Sequence, residues 1–342
     1  MRSRLSYLLW CVPVLLASCR SMHSSLDPAG PQASRISHLY WLYFWVCVVV
    51  WILVVAIAIA GAFRRRITHQ GEADIVEPVN PAHEKRLTFT VSACVAITTI
   101  ILFVLLIGDF ITGRRLHKFS EQNDFVALTV TGHQWWWEVR YEDEQTPSNI
   151  IVTANEIVIP TGKPVKINLQ TGDVIHSFWI PNLTGKKDMI PNHLTAVWLQ
   201  ADKEGKYEGQ CAEFCGYEHA MMRLIVRAEN PDTFAAWLAA ARTPGSEPLT
   251  DQQKRGQQVF MSHSCVMCHS IGGTKAHARY GPDLTHVASR MSLAAGTLPN
   301  VVGHMAGWII DPQRVKPGAQ MPQNNLEPED FTALVEYLHS LK

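Results

Sequence analysis

Two uninterrupted apolar stretches dominate the first third of the chain. From His38 to Phe63 the run HLYWLYFWVCVVVWILVVAIAIAGAF contains no Asp, Glu, Lys or Arg, and at about 1.5 Å per residue some 20 such residues cross the hydrocarbon core of a bilayer. A membrane-spanning helix over 38–63 is predicted. Tyr40, Trp41, Tyr43 and Trp45 crowd its first turns as an interfacial aromatic belt would, and Arg64, Arg65 and Arg66 close the far end. A second run, Thr88 to Thr112, is uncharged until Asp109 and predicts another span over 88–112. Helices buried in a soluble core rarely run so long without a polar face. Cys47 and Cys94 within these runs read as small apolar residues. The connecting loop, 64–87, holds Arg64, Arg65, Arg66, Lys85 and Arg86, against Arg20 and Arg35 before the first span and Arg114, Arg115 and Lys118 after the second. That excess places the loop inside the cell and both chain ends outside.

Past Lys118 the pattern shortens to β-rich runs, DFVALTVTG, IIVTANEIVIP, KPVKINLQTG and TAVWLQADKEGKYEGQ, separated by Gly, Pro, Asn and Asp. Residues 119–228 are therefore expected to form an antiparallel sandwich or Greek key. Residues 229–250, Ala-rich and then reading ARTPGSEPLT, predict a tether. Thr250 and Asp251 can cap a helix through DQQKRGQQVFMS, which opens a last domain over 251–342. Ahead of the first span, basic MRSR, the short apolar LSYLLWCVPVLL and small residues have the layout of an export signal over 1–18, leaving 19–37 as an extracytoplasmic segment. Leu16-Ala17-Ser18-Cys19 resembles the lipobox of bacterial lipoproteins, which implies acylation of Cys19.

Composition narrows the picture. With 342 residues and 18% charged side chains, the chain is too long for one small domain and is diluted by membrane segments. Thirty basic residues balance thirty acidic ones, which removes the electrostatic case for a nucleic-acid binder. Four of the eight cysteines fall into close pairs, Cys211/Cys215 and Cys265/Cys268.

The first pair lies in CAEFCGYEHAMM, where Cys211, Cys215, His219 and Met222 are spaced by four, four and three. Gly216 favours a loop in which these side chains converge. His176, in DVIHSFWIP, lies 35 residues upstream, where a sandwich can return it to the same end. Two thiolates, two imidazoles and a thioether suit copper that cycles between oxidation states. A zinc site would account for both cysteines and both histidines but seldom recruits a thioether. A Cys211–Cys215 disulfide would leave the histidines unexplained. A mononuclear blue-copper site needs one cysteine, so two cysteines argue for two coppers.

The second pair forms Cys265-Val266-Met267-Cys268-His269, the CxxCH attachment signature of c-type haem, with His269 placed on the iron. The opposite axial ligand must come from Met291, Met305, Met321, His277, His286 or His304. Met321 is favoured, because KPGAQMPQ holds it in a Pro/Gly-rich loop just before a closing helix from Pro328 to Leu341. That loop resembles the methionine loop of class I cytochromes c, where a thioether raises the haem potential.

HSFWIP, the long gap and CAEFCGYEHAMM together resemble cytochrome c oxidase subunit II, over the helical hairpin and onward to about Arg227. The resemblance implies a two-helix transmembrane hairpin, an all-β cupredoxin Greek-key sandwich with a binuclear CuA centre, and here a fused all-α class I cytochrome c. It implies that Cys211 and Cys215 bridge two coppers, that His176 and His219 each terminate one, that Met222 is a weak ligand, and that Glu213 ligates through its backbone carbonyl. The Glu213 side chain would then face a magnesium or manganese ion shared with subunit I. One electron spread over a rigid copper–sulfur core alters each bond little, so transfer is fast. GHQWWWEVRY (132–141) is similar to the family's aromatic segment, with Trp135 where electrons come in and Trp136 and Trp137 packing. In place of the glutamate that relatives often carry before the second span, this chain reads HEKRLTFTVSA, and Glu84 receives no proton-uptake role. The implied protein is a two-pass subunit of a bacterial inner membrane, embedded in lipid beside subunit I and subunit III. An external cytochrome c or a quinol–cytochrome c reductase complex would reduce its haem, and dioxygen reduction coupled to proton translocation would occur in subunit I. A nitric oxide reductase could use the same relay, a membrane-anchored copper chaperone or sensor would need no covalent haem, and quinol oxidases typically lose the copper ligands.

Overall fold

The computed structural model describes residues 23–68, 81–142 and 150–342. The export signal expected at 1–18, Cys19 and residues 69–80 of the loop expected at 64–87 lie outside the described residues. Contacts divide the chain into two compact units, Arg35–Phe119 and the remainder.

The first unit is a helical pair, α1 (Pro31–Thr68) and α2 (Pro81–His117). Both helices outrun the predicted spans because intrahelical bonding continues through polar flanks once a helix exists. Each opens on a proline, whose missing N–H costs nothing in a first turn. The pair is apolar all round: Trp51, Ile57, Phe89 and Leu102 are exposed, and Leu105 alone is buried among the described residues of α2. The threonines of α2 are paired locally. Thr88, Thr90, Thr98, Thr99 and Thr112 each donate a hydroxyl to the carbonyl four residues back, as hydrocarbon surroundings demand. These are two helices suited by length and composition to cross a membrane.

The second unit holds a sandwich and a helical domain. One sheet, in the order β3-β2-β1-β5-β8, contains β1 (Val126–His133), β2 (Trp136–Tyr141), β3 (Ile151–Ala154), β5 (Val165–Thr171) and β8 (Thr195–Leu199). The other, in the order β4-β10-β9-β6-β7, contains β4 (Glu156–Pro160), β6 (His176–Trp179), β7 (Lys187–Met189), β9 (Gly205–Cys211) and β10 (Arg223–Glu229). Leu128, Val130, Ile167 and Leu169 of the first sheet and Ile157, Ile159, Phe178, Leu224 and Val226 of the second are fully buried in one core. β1 pairs in parallel with β5, and β4 in parallel with β10, giving the cupredoxin-like sandwich.

IIVTANEIVIP, a single run in the sequence, is two strands in different sheets. Asn155 adopts the left-handed conformation, φ 61°, and its side chain accepts from the Trp137 amide at 2.9 Å. One asparagine thus turns the chain from sheet to sheet while capping a buried donor.

The expected tether at 229–250 is only partly a tether. Residues Pro231–Ala241 form α3, capped by Asn230, whose side chain accepts from the Thr233 amide at 2.9 Å. Phe234 is buried against the sandwich, and Trp237 lies 5.0 Å from the Tyr141 ring.

The final domain follows the helix pattern. α4 (Asp251–Ser262) begins with a Thr250/Gln253 capping box. A short 3₁₀ turn carries Ser264–Met267, a two-strand ribbon pairs β11 (Ser292–Leu293) with β12 (Leu298–Pro299), and α5 (Val302–Ile310), α6 (Pro312–Val315) and α7 (Pro328–Ser340) complete it. α4 crosses α7 at Gly256, where a Cβ would stand 2.0 Å from the Ala333 carbonyl oxygen. That close approach brings Phe260 against Leu334, Tyr337 and Leu338 in a second core.

Candidate metal centre and haem-attachment segment

The sheet order explains why the soft ligands meet. β6 starts at His176 and pairs with β9, which ends at Cys211, with Phe178 opposite Cys211. The segment between β9 and β10 folds back through a 3₁₀ turn at His219–Met221, and the Cys211 amide bonds to the Met222 carbonyl at 2.9 Å, closing the loop. His176, Cys211, Cys215 and Met222 are buried, and His219 is half-buried.

The two sulfurs stand 3.8 Å apart, far beyond the roughly 2.05 Å of a disulfide. Around Cys211 Sγ lie His176 Nδ1 at 3.9 Å and the Glu213 carbonyl oxygen at 3.1 Å. Around Cys215 Sγ lie His219 Nδ1 at 3.7 Å and Met222 Sδ at 3.9 Å. Each sulfur thus has one imidazole and one weaker donor. Ligand atoms of His176, Cys211 and Cys215 all fall within 4.8 Å of one another. The Glu213 and Phe214 side chains are exposed at the tip.

Electrostatics keep the set ready for a cation. The Cys215 S–H does most to pull the Cys211 thiol well below its ordinary range, against the opposing effect of burial and with help from His176. The hydrogen bond it gives to Cys211, together with burial and the charge on Cys211, pushes Cys215 up. His176 Nε2–H donates to Asp173 Oδ1 at 2.8 Å, which leaves Nδ1 turned toward Cys211; a carboxylate behind an imidazole fixes both tautomer and ring orientation. Asp173 also accepts from the Gln134 amide at 2.7 Å. Sequence reasoning missed Asp173, although it lies three residues before His176. Gly132 lets the β1 backbone pass beside that ring, since a Cβ there would sit 2.8 Å from His176 Cδ2.

The aromatic segment divides in role. Trp135 Nε1 donates to the Cys215 carbonyl at 3.0 Å, and Gln134 Nε2 donates to the same oxygen at 2.8 Å. Trp136 stacks on His133 with centroids 4.4 Å apart. Trp137, fully buried, packs edge-on to Phe178 and near His176.

In the helical domain the Cys268 and His269 amides both bond to the Cys265 carbonyl, at 3.2 and 3.0 Å, a tight turn that presents both thiols and the imidazole from one place. His269 Nδ1–H donates to the Pro282 carbonyl at 2.7 Å, so Nε2 is the nitrogen left free. Burial pulls His269 below its ordinary value, with the Pro282 carbonyl only partly opposing, and the neutral ring is the ligating form. Cys265, Val266 and Met321 all border the apolar cluster built on Phe260, Leu334 and Leu338. Gln313 pins the Met321 loop by donating to the Ala319 and Met321 carbonyls at 2.7 and 3.0 Å and accepting from the Gly318 amide at 2.8 Å. The other candidates are placed as follows. His286 contacts the Lys342 and Thr243 carbonyls, His304 the Pro299 carbonyl, and Met305 is buried in the core. His277 is exposed, and Met291 gives its amide to Glu156 Oε2. Glu84 stands exposed in the first turn of α2.

The donor set fits copper and the CxxCH turn fits haem, and comparison with known proteins agrees. Residues 126–229 match the family described as cytochrome C oxidase subunit II, periplasmic domain, and residues 253–342 match cytochrome c. Its relatives include several that bear the name cytochrome c oxidase subunit 2. That of Alkalihalophilus pseudofirmus is 36% identical over 327 residues, 93% of this chain and 91% of its own length. The Bacillus subtilis protein is 30% identical over 99% of this chain and 98% of its own length, and that of Bacillus sp. strain PS3 is 32% identical over 82% and 80%. With soft ligands converging at one end of a cupredoxin-like sandwich and a haem-attachment turn in the same chain, this protein belongs to the cytochrome c oxidase subunit II family, as a copper-domain subunit of a terminal oxidase complex with a fused cytochrome c.

Proposed function

We propose that this chain is the subunit through which electrons enter a bacterial cytochrome c oxidase: an external cytochrome c, or a quinol–cytochrome c reductase complex, reduces its haem, and the electrons continue by a binuclear CuA centre to haem in subunit I. There dioxygen is reduced to water with proton translocation. The observation that carries the reading is the pairing of each buried sulfur with its own imidazole, His176 with Cys211 and His219 with Cys215, at 3.9 and 3.7 Å. Copper and haem, when bound, supply one-electron oxidation and reduction.

Cys211 and Cys215 would be shared by two coppers, with His176, His219, Met222 and the Glu213 carbonyl completing the set. Asp173 holds the His176 ring, and the surrounding core excludes water. Cys265 and Cys268 would tie the haem covalently, with His269 and Met321 as axial ligands. Trp135, bonded to the Cys215 carbonyl, offers an aromatic ring beside the copper ligands. The exposed Glu213 carboxylate would meet a magnesium or manganese ion at the subunit I interface, and subunit III would complete the assembly. Two apolar helices support a two-pass anchor in the inner membrane, with the sandwich and the cytochrome on the extracytoplasmic side and Cys19 acylated.

Cys215→Ser tests the copper assignment. It should abolish the near-infrared absorption of a mixed-valence copper pair while the haem spectrum persists. Survival of that band would contradict the binuclear site.

A further inference from the structure

The cytochrome c domain does not simply hang from the sandwich; it is fastened beside the copper ligands by a buried cation. Lys316, five residues before Met321, is 3% exposed. Its ammonium donates to the Met221 carbonyl at 2.9 Å and the Trp135 carbonyl at 3.0 Å, both in the sandwich, and to the Ala294 carbonyl of its own domain at 3.5 Å. Three donors meet three acceptors, which is all an ammonium offers. Burial works against the charge and lowers Lys316 to about 8, with buried Glu218 opposing.

Two further contacts join the same domains. The Arg223 amide at the start of β10 donates to the Ala295 carbonyl at 3.0 Å. Buried Glu156 accepts from the Met291 amide at 2.9 Å and is held on its other oxygen by Arg227 at 3.1 Å. The Lys316 turn also lies over the aromatic segment, since a side chain at Gly318 would touch the Tyr217 and Trp135 rings at 3.9 and 4.0 Å. A buried ammonium tolerates no sliding. Any shift that removed the two sandwich carbonyls while keeping Lys316 from water would leave a buried charge unpaired. Backbone carbonyls at fixed positions therefore select one docked pose.

We propose that Lys316 is a positioning residue that latches the cytochrome domain onto the sandwich, seating the Met321 loop over Trp135 and Tyr217 and making the two redox domains one fixed pair. This rests on the relay reading for its purpose, because a latch at this place sets the path from haem to copper. It predicts that the Trp135 edge is covered from within the chain, so that a soluble donor must approach the haem instead.

The test uses the full chain in the purified oxidase. Lys316→Met keeps the side-chain length and removes the charge and the donors. It should lower hydrogen-exchange protection of the Arg223 amide at least about tenfold, the effect of losing about 1.4 kcal/mol of charge-assisted bonding. One-electron transfer from ferrous haem to oxidised copper should slow as well, with the haem and near-infrared copper spectra unchanged. In the wild type, an amine-specific reagent should label Lys316 at least about tenfold more slowly than exposed Lys275, a measurement that does not depend on how the variant folds. Equal labelling of the two lysines, unchanged Arg223 protection in Lys316→Met, or lost protection with unaltered haem-to-copper transfer would each overturn the proposal. If reduced haem in the wild type failed to reduce copper while Arg223 stayed protected and Lys316 unreactive, the relay reading would fall and the latch would be supported.

Discussion

The imidazole of His176 is divided between two neighbours, a carboxylate at Nε2 and a thiol at Nδ1. Burial opposes ionisation of Asp173, but the bonds from His176 and from the Val174 and Gln134 amides outweigh it and hold the carboxyl at about 2. A folded value below the ordinary 3.8 means that Asp173 stabilises the fold above that pH, and that this contribution disappears as pH falls through about 2. At neutral pH the carboxylate is therefore always available to orient the ring. Asp173→Ala should weaken copper binding by about 10–100-fold, the usual effect of removing such a support, as measured by titration against a competing chelator; unchanged affinity would contradict the orienting role. The soft donors that the fold brings together were legible in the sequence because such residues at such spacing have few other uses. Asp173 was not, because an acid beside a glycine reads first as an ordinary turn.

At the scale of elements, the strands were legible where apolar and polar residues alternate, as in VKINLQT, and obscured where a single residue redirects the chain, as Asn155 does between β3 and β4. β2 was hidden by WWWEVR, whose bulk reads as an aromatic cluster before it reads as an alternating strand. The helices of the last domain were foreseen through the Thr250 cap and the closing run from Pro328, but the near contact of α4 and α7 at Gly256 was not, because it joins Gly256 to Ala333, far along the chain. Gly256→Ala should force those helices apart and cost about 1–3 kcal/mol, seen as a lower melting temperature of the haem domain with haem still attached; an unchanged melt would show that the crossing can relax. The Met321 loop depends on Gln313 in a similar way. Met321→Ala should lower the haem potential in a redox titration and leave the copper absorption intact, whereas an unaltered potential would assign the sixth ligand elsewhere.

Across the whole molecule, the order of membrane hairpin, sandwich and cytochrome could be read from the chain because each part announces itself locally, by an apolar run, by alternating strands or by CxxCH. How the last two are joined could not. The predicted tether yields eleven of its residues to α3, and the fastening at Lys316 links positions 181 residues apart in sequence, a relation that no local pattern encodes. Tethering alone would raise the effective concentration of one domain near the other; the buried ammonium adds a fixed orientation. The central claim is that one chain carries a sulfur-bridged copper pair together with a covalently held haem. It is tested most directly by measuring copper and thioether-bound haem per polypeptide in the purified full-length chain, free of its partner subunits. The account predicts two copper atoms and one haem; a single copper, or zinc in its place, would contradict it.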